Sequence, residues 1–182
     1  MELKNRRELI RLVNELDFSI GVEVGVSYGF FSRHILENTD LTLHSIDPWE
    51  KNEELGNPEE AYVSTKKLLN PFGERSIILK GYSPEVCVKF QDNSIDFVYI
   101  DGLHSYEAVI ADLEGWYNKV KTNGIIAGHD YSESDWIGVV SAVNEFVEKN
   151  NLELFLTGIG GGINDGVQEF DGNQKSWWFY KK

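Results

Sequence analysis

Two periods of apolar residues take turns along this chain. Near the start, Leu9, Leu12, Val13 and Leu16 recur at helical spacing, and Lys4, Arg6, Arg7 and Arg11 cluster on what reads as the solvated face of that helix. A short apolar strand, Ser19–Val24, comes next and runs into the turn Gly25-Val26-Ser27-Tyr28-Gly29. A helix from about Tyr28 to Glu37 follows, with Ser27 in N-cap position and Phe30, Phe31 and Ile35 turned to a sheet. Leu41–Ile46 is the second strand, ended by Asp47-Pro48-Trp49, because proline cannot continue a central strand. Past the acidic loop Glu50–Gly56, Asn57-Pro58-Glu59-Glu60 carries the marks of a helix start. That helix runs to about Asn70 and buries Ala61, Leu68 and Leu69.

Ser76–Lys80 reads as strand three, followed by a short helix capped by Ser83 with Pro84 at its first position. Ile95–Ile100 is almost continuously apolar, as expected of a strand covered on both faces. The next helix shows an apolar stripe of Tyr106, Val109, Ile110, Leu113, Trp116, Tyr117 and Val120. Strand five is Ile125–Ala127, and a helix bearing Val140, Val143, Phe146 and Val147 follows the polar loop Ser132–Asp135. The tail breaks the pattern. Leu152–Thr157 and Ser176–Lys181 read as strands joined by a glycine-rich loop, Gly158–Gly172, without a helix. Such a pair must be antiparallel, so a hairpin at the sheet edge is expected. Its aromatic strand Trp177–Tyr180 invites pairing with a second subunit, so a homodimer is expected to be possible.

Strand and helix in alternation give an α/β, Rossmann-like doubly wound sheet. At 182 residues one domain is expected, with an N-terminal helix in 1–17 and the C-terminal hairpin in 152–182. Ligands of such sheets lie at the carboxyl ends of the strands. Those ends carry Glu23, Asp47, Tyr82 and Ser83, Asp101 and His104, and His129 and Asp130. A net charge of −13 argues against nucleic-acid binding, and no apolar run approaches a membrane span. The N-terminus shows no apolar signal core, and the one cysteine, Cys87, allows no internal disulfide; both fit a cytoplasmic location.

The first strand end reads Glu23-x-Gly25-x-x-x-Gly29, where a dinucleotide site would want Gly-x-Gly-x-x-Gly. An acid there repels a pyrophosphate and suits a cationic amino acid. Asp47 suits two ribose hydroxyls. S-adenosylmethionine combines both groups.

Glu23–Gly29, Ile46–Trp49, Phe97–Tyr106 and Gly124–Tyr131 resemble class I S-adenosylmethionine-dependent methyltransferases, in particular a small branch with Asp-Gly-x-His-x-Tyr after strand four and His-Asp-Tyr after strand five. This branch is similar to catechol-type and macrolide-sugar O-methyltransferases. The resemblance implies a seven-strand sheet with the last strand antiparallel. It implies that Glu23, Gly25 and Gly29, with Ser27 between them, line the amino-acid end of the cofactor. Asp47 would hold the ribose with Trp49 nearby, Tyr82 and Ser83 would flank the adenine, and Asp101 and His104 would sit beside the reacting centre.

Methyl transfer to a hydroxyl needs alignment and a base or a metal. His104 and His129 are the histidines at strand ends, whereas His34 and His44 fall inside a helix and a strand and read as structural. Two mechanisms stay open. In one, His104 or His129 is a general base. In the other, Asp101 and Asp130, with His129, hold Mg²⁺ or Mn²⁺. Catechol-type relatives carry metal-binding acids at the ends of strands four and five, but their strand-five pair is Asp-Asn or Glu-Asp where this chain has His129-Asp130. Aromatic rings and acids in the loops around the cleft favour a small-molecule sugar or glycan hydroxyl as acceptor, then a catechol or phenol. The rival classes are an NAD-dependent oxidoreductase and a catalytically silent binding module. The glycine spacing opposes the first and the clustered polar groups oppose the second.

Overall fold

The computed structural model describes residues 3–51, 56–159 and 174–182, with the backbone of 163–164 and 169–170. The expected loops Glu50–Gly56 and Gly158–Gly172 lie partly outside these residues. The elements run α1 (Arg6–Glu15), β1 (Ile20–Val24), α2 (Phe30–Asn38), β2 (Thr42–Asp47), α3 (Pro58–Leu69), a 3-10 stretch (Asn70–Arg75), β3 (Ser76–Lys80), α4 (Ser83–Cys87), β4 (Ile95–Ile100), α5 (Tyr106–Tyr117), β5 (Val120–Gly128), α6 (Ile137–Lys149), β6 (Phe155–Leu156), β7 (Ile163–Asn164), β8 (Glu169–Phe170) and β9 (Trp177–Tyr180).

Seven strands form one sheet in the order β3-β2-β1-β4-β5-β9-β6. β1 to β5 pair in parallel, and β9 runs antiparallel to both β5 and β6. The strand order reverses between β1 and β4, which sets a crevice at their carboxyl ends.

Period-two alternation divides the core. Val22, Val24, Val98, Ile100, Ile126, Trp177 and Phe179 face α5 and α6. Leu43, Phe97, Tyr99, Ile125, Ala127 and Trp178 face α1 and α2, packing on Leu9, Ile10, Val13, Phe31 and Ile35. Glu23 pairs in register with Tyr99 and so belongs to the face under α1 and α2.

Several expectations are corrected. β9 does not form the sheet edge: it is inserted between β5 and β6, and Trp177, Trp178 and Phe179 are buried there. The edge-strand argument for a homodimer therefore falls. Val120 belongs to β5 rather than to the preceding helix, which stops at Tyr117; β5 then accommodates a register shift against Ile95 and Phe97. Ser27 does not cap α2, whose N-cap is Gly29. Ser83 is the first residue of α4, with Tyr82 before it, and makes no cap hydrogen bond. The basic face of the first helix is not all solvated: Arg6 is 3% exposed. Asn57 does cap α3, accepting from the Glu59 and Glu60 amides, as expected. No helix among the described residues is long and apolar enough to cross a membrane.

Candidate active site

The crevice starts with the glycine turn after β1. Gly25 has φ +85°, and a Cβ there would lie 1.9 Å from the Asp101 carbonyl oxygen. Only glycine lets the two loops meet this closely. Gly29, at φ +82°, is the left-handed N-cap of α2 and gives that helix no side-chain cap.

Between these glycines the backbone is held by one carboxylate. Asp47 Oδ2 accepts from the Val26 and Ser27 amides, each at 2.9 Å, and Oδ1 accepts from the Trp49 amide at 2.6 Å. Ser27 and Trp49 both have positive φ, 51° and 43°. Such conformations persist in non-glycine residues only when their surroundings fix them. The Ser27 carbonyl is fixed in turn by Trp49 Nε1 and Thr65 Oγ1, each at 2.9 Å. Asp47 and Trp49 thus build the loop; Trp49 is 2% exposed and packs on Val26 and Ala61. At the rim, Tyr82 is exposed and its hydroxyl donates to Glu50 at 2.5 Å. Ser83 turns inward, where its Oγ accepts from Trp116 Nε1 at 2.8 Å.

Glu23 is buried beneath the turn and accepts from Ser32 Oγ, which also lies 2.9 Å from Ser45 Oγ. Burial raises its carboxyl from 4.5 to about 8, with Asp101 and Asp47 adding to the rise and the Ser32 hydrogen bond opposing it. Glu23 is therefore a neutral acid at pH 7. A second buried acid, Asp112 on α5, is pushed to about 6 by burial against the opposing Ser83 hydrogen bond. Asp112 lies in the middle of α5, where no motif or strand end marks it in the sequence.

At the ends of β4 and β5 the polar residues converge. His104 Nε2 lies 2.8 Å from Asp130 Oδ2, and His129 Nδ1 lies 3.2 Å from Asp130 Oδ1. Asp130 has φ 58°, so the chain turns out of the strand here and aims the carboxylate between two imidazoles. Burial would raise the Asp130 carboxyl, yet the hydrogen bonds from His104 and His129 hold it well below the usual carboxylate range. His129 moves the other way: burial lowers it, but the Asp130 hydrogen bond and the Asp101 and Asp130 charges raise it above its ordinary value. The Trp136 ring lies 4.2 Å from that of His104 and covers it.

Asp101, His104 and Asp130 place one ligand atom each within 4.8 Å of one another. His129, expected in that trio, is replaced by His104. Its ring is buried and its Nε2 faces no hydrogen-bond partner among the described residues. His129 meets Asp130 through Nδ1, 3.2 Å from Oδ1, and not as a third ligand beside Asp101.

The family described as a methyltransferase domain matches residues 18–131. A protein of Acanthamoeba polyphaga mimivirus is 31% identical over 132 residues, which cover 69% of this chain and 58% of that protein. The chain spans between 13% and 58% of the length of the curated relatives it matches. Among solved structures, a Streptococcus mutans chain in complex with S-adenosylhomocysteine superposes with TM-score 0.67 at 13% identity, over 99% of both chains. An rRNA methylase from Streptococcus thermophilus gives 0.64 at 13% identity, over 97% of this chain and 93% of that one. At such identities these two establish the fold. The domain match spans the glycine turn, β2, β4 and the Asp101–Asp130 cluster. The chain belongs to the methyltransferase-domain family.

Proposed function

We propose that the chain is an S-adenosylmethionine-dependent methyltransferase that methylates a hydroxyl group, with His104 as the general base. The observation that carries this reading is the hydrogen-bonded chain His104–Asp130–His129 beside Asp101. An imidazole held by a carboxylate at 2.8 Å is oriented for proton transfer. His104 is also the more accessible histidine: its side chain is 16% exposed, against 1% for His129.

In this reading the cofactor's amino-acid end lies along Glu23, Gly25, Ser27 and Gly29. Its ribose lies near Asp47 and Glu50, and its adenine lies against Tyr82 and Ser83. The acceptor enters over Trp136 and Leu103. Its hydroxyl oxygen attacks the sulfonium methyl in line, the C–S bond breaks, and the hydroxyl proton passes to His104. Asp130 stabilises the imidazolium that forms, and His129 fixes Asp130. The products are the methyl ether and S-adenosylhomocysteine.

Asp101, His104 and Asp130 also fit a divalent cation. Ligand atoms around one ion lie about 3–4 Å apart, which small side-chain shifts from the present spacing reach. One imidazole beside two carboxylates favours Mn²⁺ over Mg²⁺. Such an ion would lower the acceptor hydroxyl's pKa. The chain's own part is then to hold it through these three side chains, with His129 orienting Asp130.

Aromatic rings beside carboxylates support a sugar or glycan hydroxyl as acceptor, with a catechol or phenol as the second reading. A net charge of −13 supports a small molecule over RNA. A cytoplasmic location belongs to the same reading. The test is methyl transfer from labelled S-adenosylmethionine to panels of sugars, glycosides and catechols, with and without EDTA. Transfer to sugars supports the first reading, transfer confined to catechols the second, and transfer only to an amine or to RNA overturns both.

A further inference from the structure

Among the described residues the buried acids are Glu23, Asp47, Asp96, Asp112 and Asp130. All but one have partners that explain their burial. Glu23 is a neutral acid on Ser32, Asp47 holds three loop amides, and Asp130 lies between two imidazoles. Asp96 accepts from the Ser19 and Ile20 amides at the start of β1 and from the Lys121 ammonium. Asp112 has neither a cation nor an amide among the described residues; its hydrogen-bond partner is the Ser83 hydroxyl. A carboxylate offers about four acceptor positions, so most of this one is unused.

Asp112 stands in α5, yet its carboxylate reaches the crevice. Ser83 lies just past the carboxyl end of β3, as the first residue of α4. On the other side, a Cβ built on Gly102 would lie 3.9 Å from Asp112 Oδ2, and Gly102 lies just past the carboxyl end of β4. The carboxylate therefore sits between two strand ends, with no side chain on Gly102 to cover it. Its orientation is fixed from behind. The buried Trp116 donates from Nε1 to Ser83 Oγ at 2.8 Å, so the single hydroxyl proton of Ser83 goes to Asp112. Phe90 holds Trp116 edge-on, with ring centres 5.2 Å apart.

The neighbours of Asp112 on the buried face of α5 are Val109, Leu113 and Trp116. An apolar residue among them would pack without the cost of taking a charge out of water. A half-satisfied buried carboxylate is explained when a ligand supplies the missing donor. In the reading above, the adenine of the cofactor lies against Ser83, the residue that holds Asp112. The ring nitrogens of adenine accept hydrogen bonds, and its 6-amino group donates two. We infer that Asp112 recognises the adenine base by accepting an N–H of its 6-amino group, so that α5 supplies the floor of the base pocket. This inference rests on S-adenosylmethionine being the cofactor and on its adenine lying at Ser83.

The test is a binding cycle by calorimetry at pH 8, above the value of about 6 to which burial pushes the Asp112 carboxyl, so that it is ionised. Wild-type protein and Asp112→Ala are titrated with S-adenosylhomocysteine and with its analogue bearing purine in place of adenine, which lacks only the 6-amino group. The wild type should prefer S-adenosylhomocysteine by about ten- to a hundredfold. In Asp112→Ala that ratio should fall to within about threefold of one. A carboxylate that serves only to hold Ser83 and Trp116 would, when removed, weaken both ligands alike and keep the ratio. An unchanged ratio overturns the inference, and so does a wild type that binds the two ligands equally. If Asp112→Ala does not fold, Asp112→Asn replaces it. That variant keeps the shape but loses the charge, and should cut the ratio by about three- to tenfold, because a charged acceptor makes the stronger hydrogen bond; an unchanged ratio again overturns the inference. Failure of the wild type to bind S-adenosylhomocysteine at all would instead overturn the cofactor assignment.

Discussion

Replacing Glu23 with Gln should stabilise the protein at alkaline pH and do little in acid. Glu23 is buried, and its carboxyl is raised from 4.5 to about 8, chiefly by loss of water. Between those values the folded chain keeps a proton that the unfolded chain gives up. The favourable contribution is fully present below about 4.5 and is lost as pH rises to about 8. Each pH unit in that window costs about 1.4 kcal/mol, about 5 kcal/mol in all. Glutamine resembles the neutral acid in shape and can still accept from Ser32 Oγ, but it does not titrate. In urea unfolding of the unliganded protein, Glu23→Gln should match the wild type within about 1 kcal/mol at pH 5. At pH 8.5 it should be more stable by about 4 kcal/mol. Groups that titrate alike in both proteins cancel in the difference. A gap between the two proteins that is the same at both pH values would refute the reasoning.

Other outcomes follow from the same site. Asp47→Ala removes the acceptor of three loop amides beside two positive-φ residues; urea unfolding should show a loss of about 3 kcal/mol or more, with cofactor affinity falling alongside. Gly25→Ala forces a Cβ onto the Asp101 carbonyl, so calorimetry should find no cofactor binding in whatever protein folds. His104→Ala should lower kcat by about 10²–10⁴ while leaving the Kd for S-adenosylhomocysteine nearly unchanged, whereas full activity would remove His104 as base. If the cofactor's ammonium meets Glu23, its charge draws off the proton. Binding at pH 7 should then release close to one proton, read from the dependence of the calorimetric heat on buffer ionisation.

Local patterns carried most of the fold. Ser76–Lys80 and Ile95–Ile100 are strands with the bounds their composition implied, and Asn57-Pro58 does begin a helix. The failures are non-local. Val120 continues the apolar spacing of Trp116 and Tyr117, but the helix ends because the backbone at 118–119 pairs with Asn93, Ser94 and Ile95. The place of β9 between β5 and β6 depends on a pairing that no spacing records. Within the site, the glycine turn and the strand-end acids were legible, since each needs its residue type for a local reason. The use of Asp47 by the loop backbone was not, because both readings ask for a carboxylate at that position. Adjacency in the sequence favours His129 beside Asp130 at a metal, whereas the fold brings Asp130 and Asp101 together with His104. Arg6 looked solvated because only the packing of α1 on α2 reveals what covers it.

The identity of the cofactor underlies every assigned role, and calorimetric titration measures it. S-adenosylhomocysteine should bind the purified protein with a stoichiometry of one, at a Kd on the order of micromolar, and Glu23→Ala with Gly25→Ala should abolish that binding. Under the same conditions NAD should give no heat. Saturable binding of NAD without binding of S-adenosylhomocysteine would contradict the account.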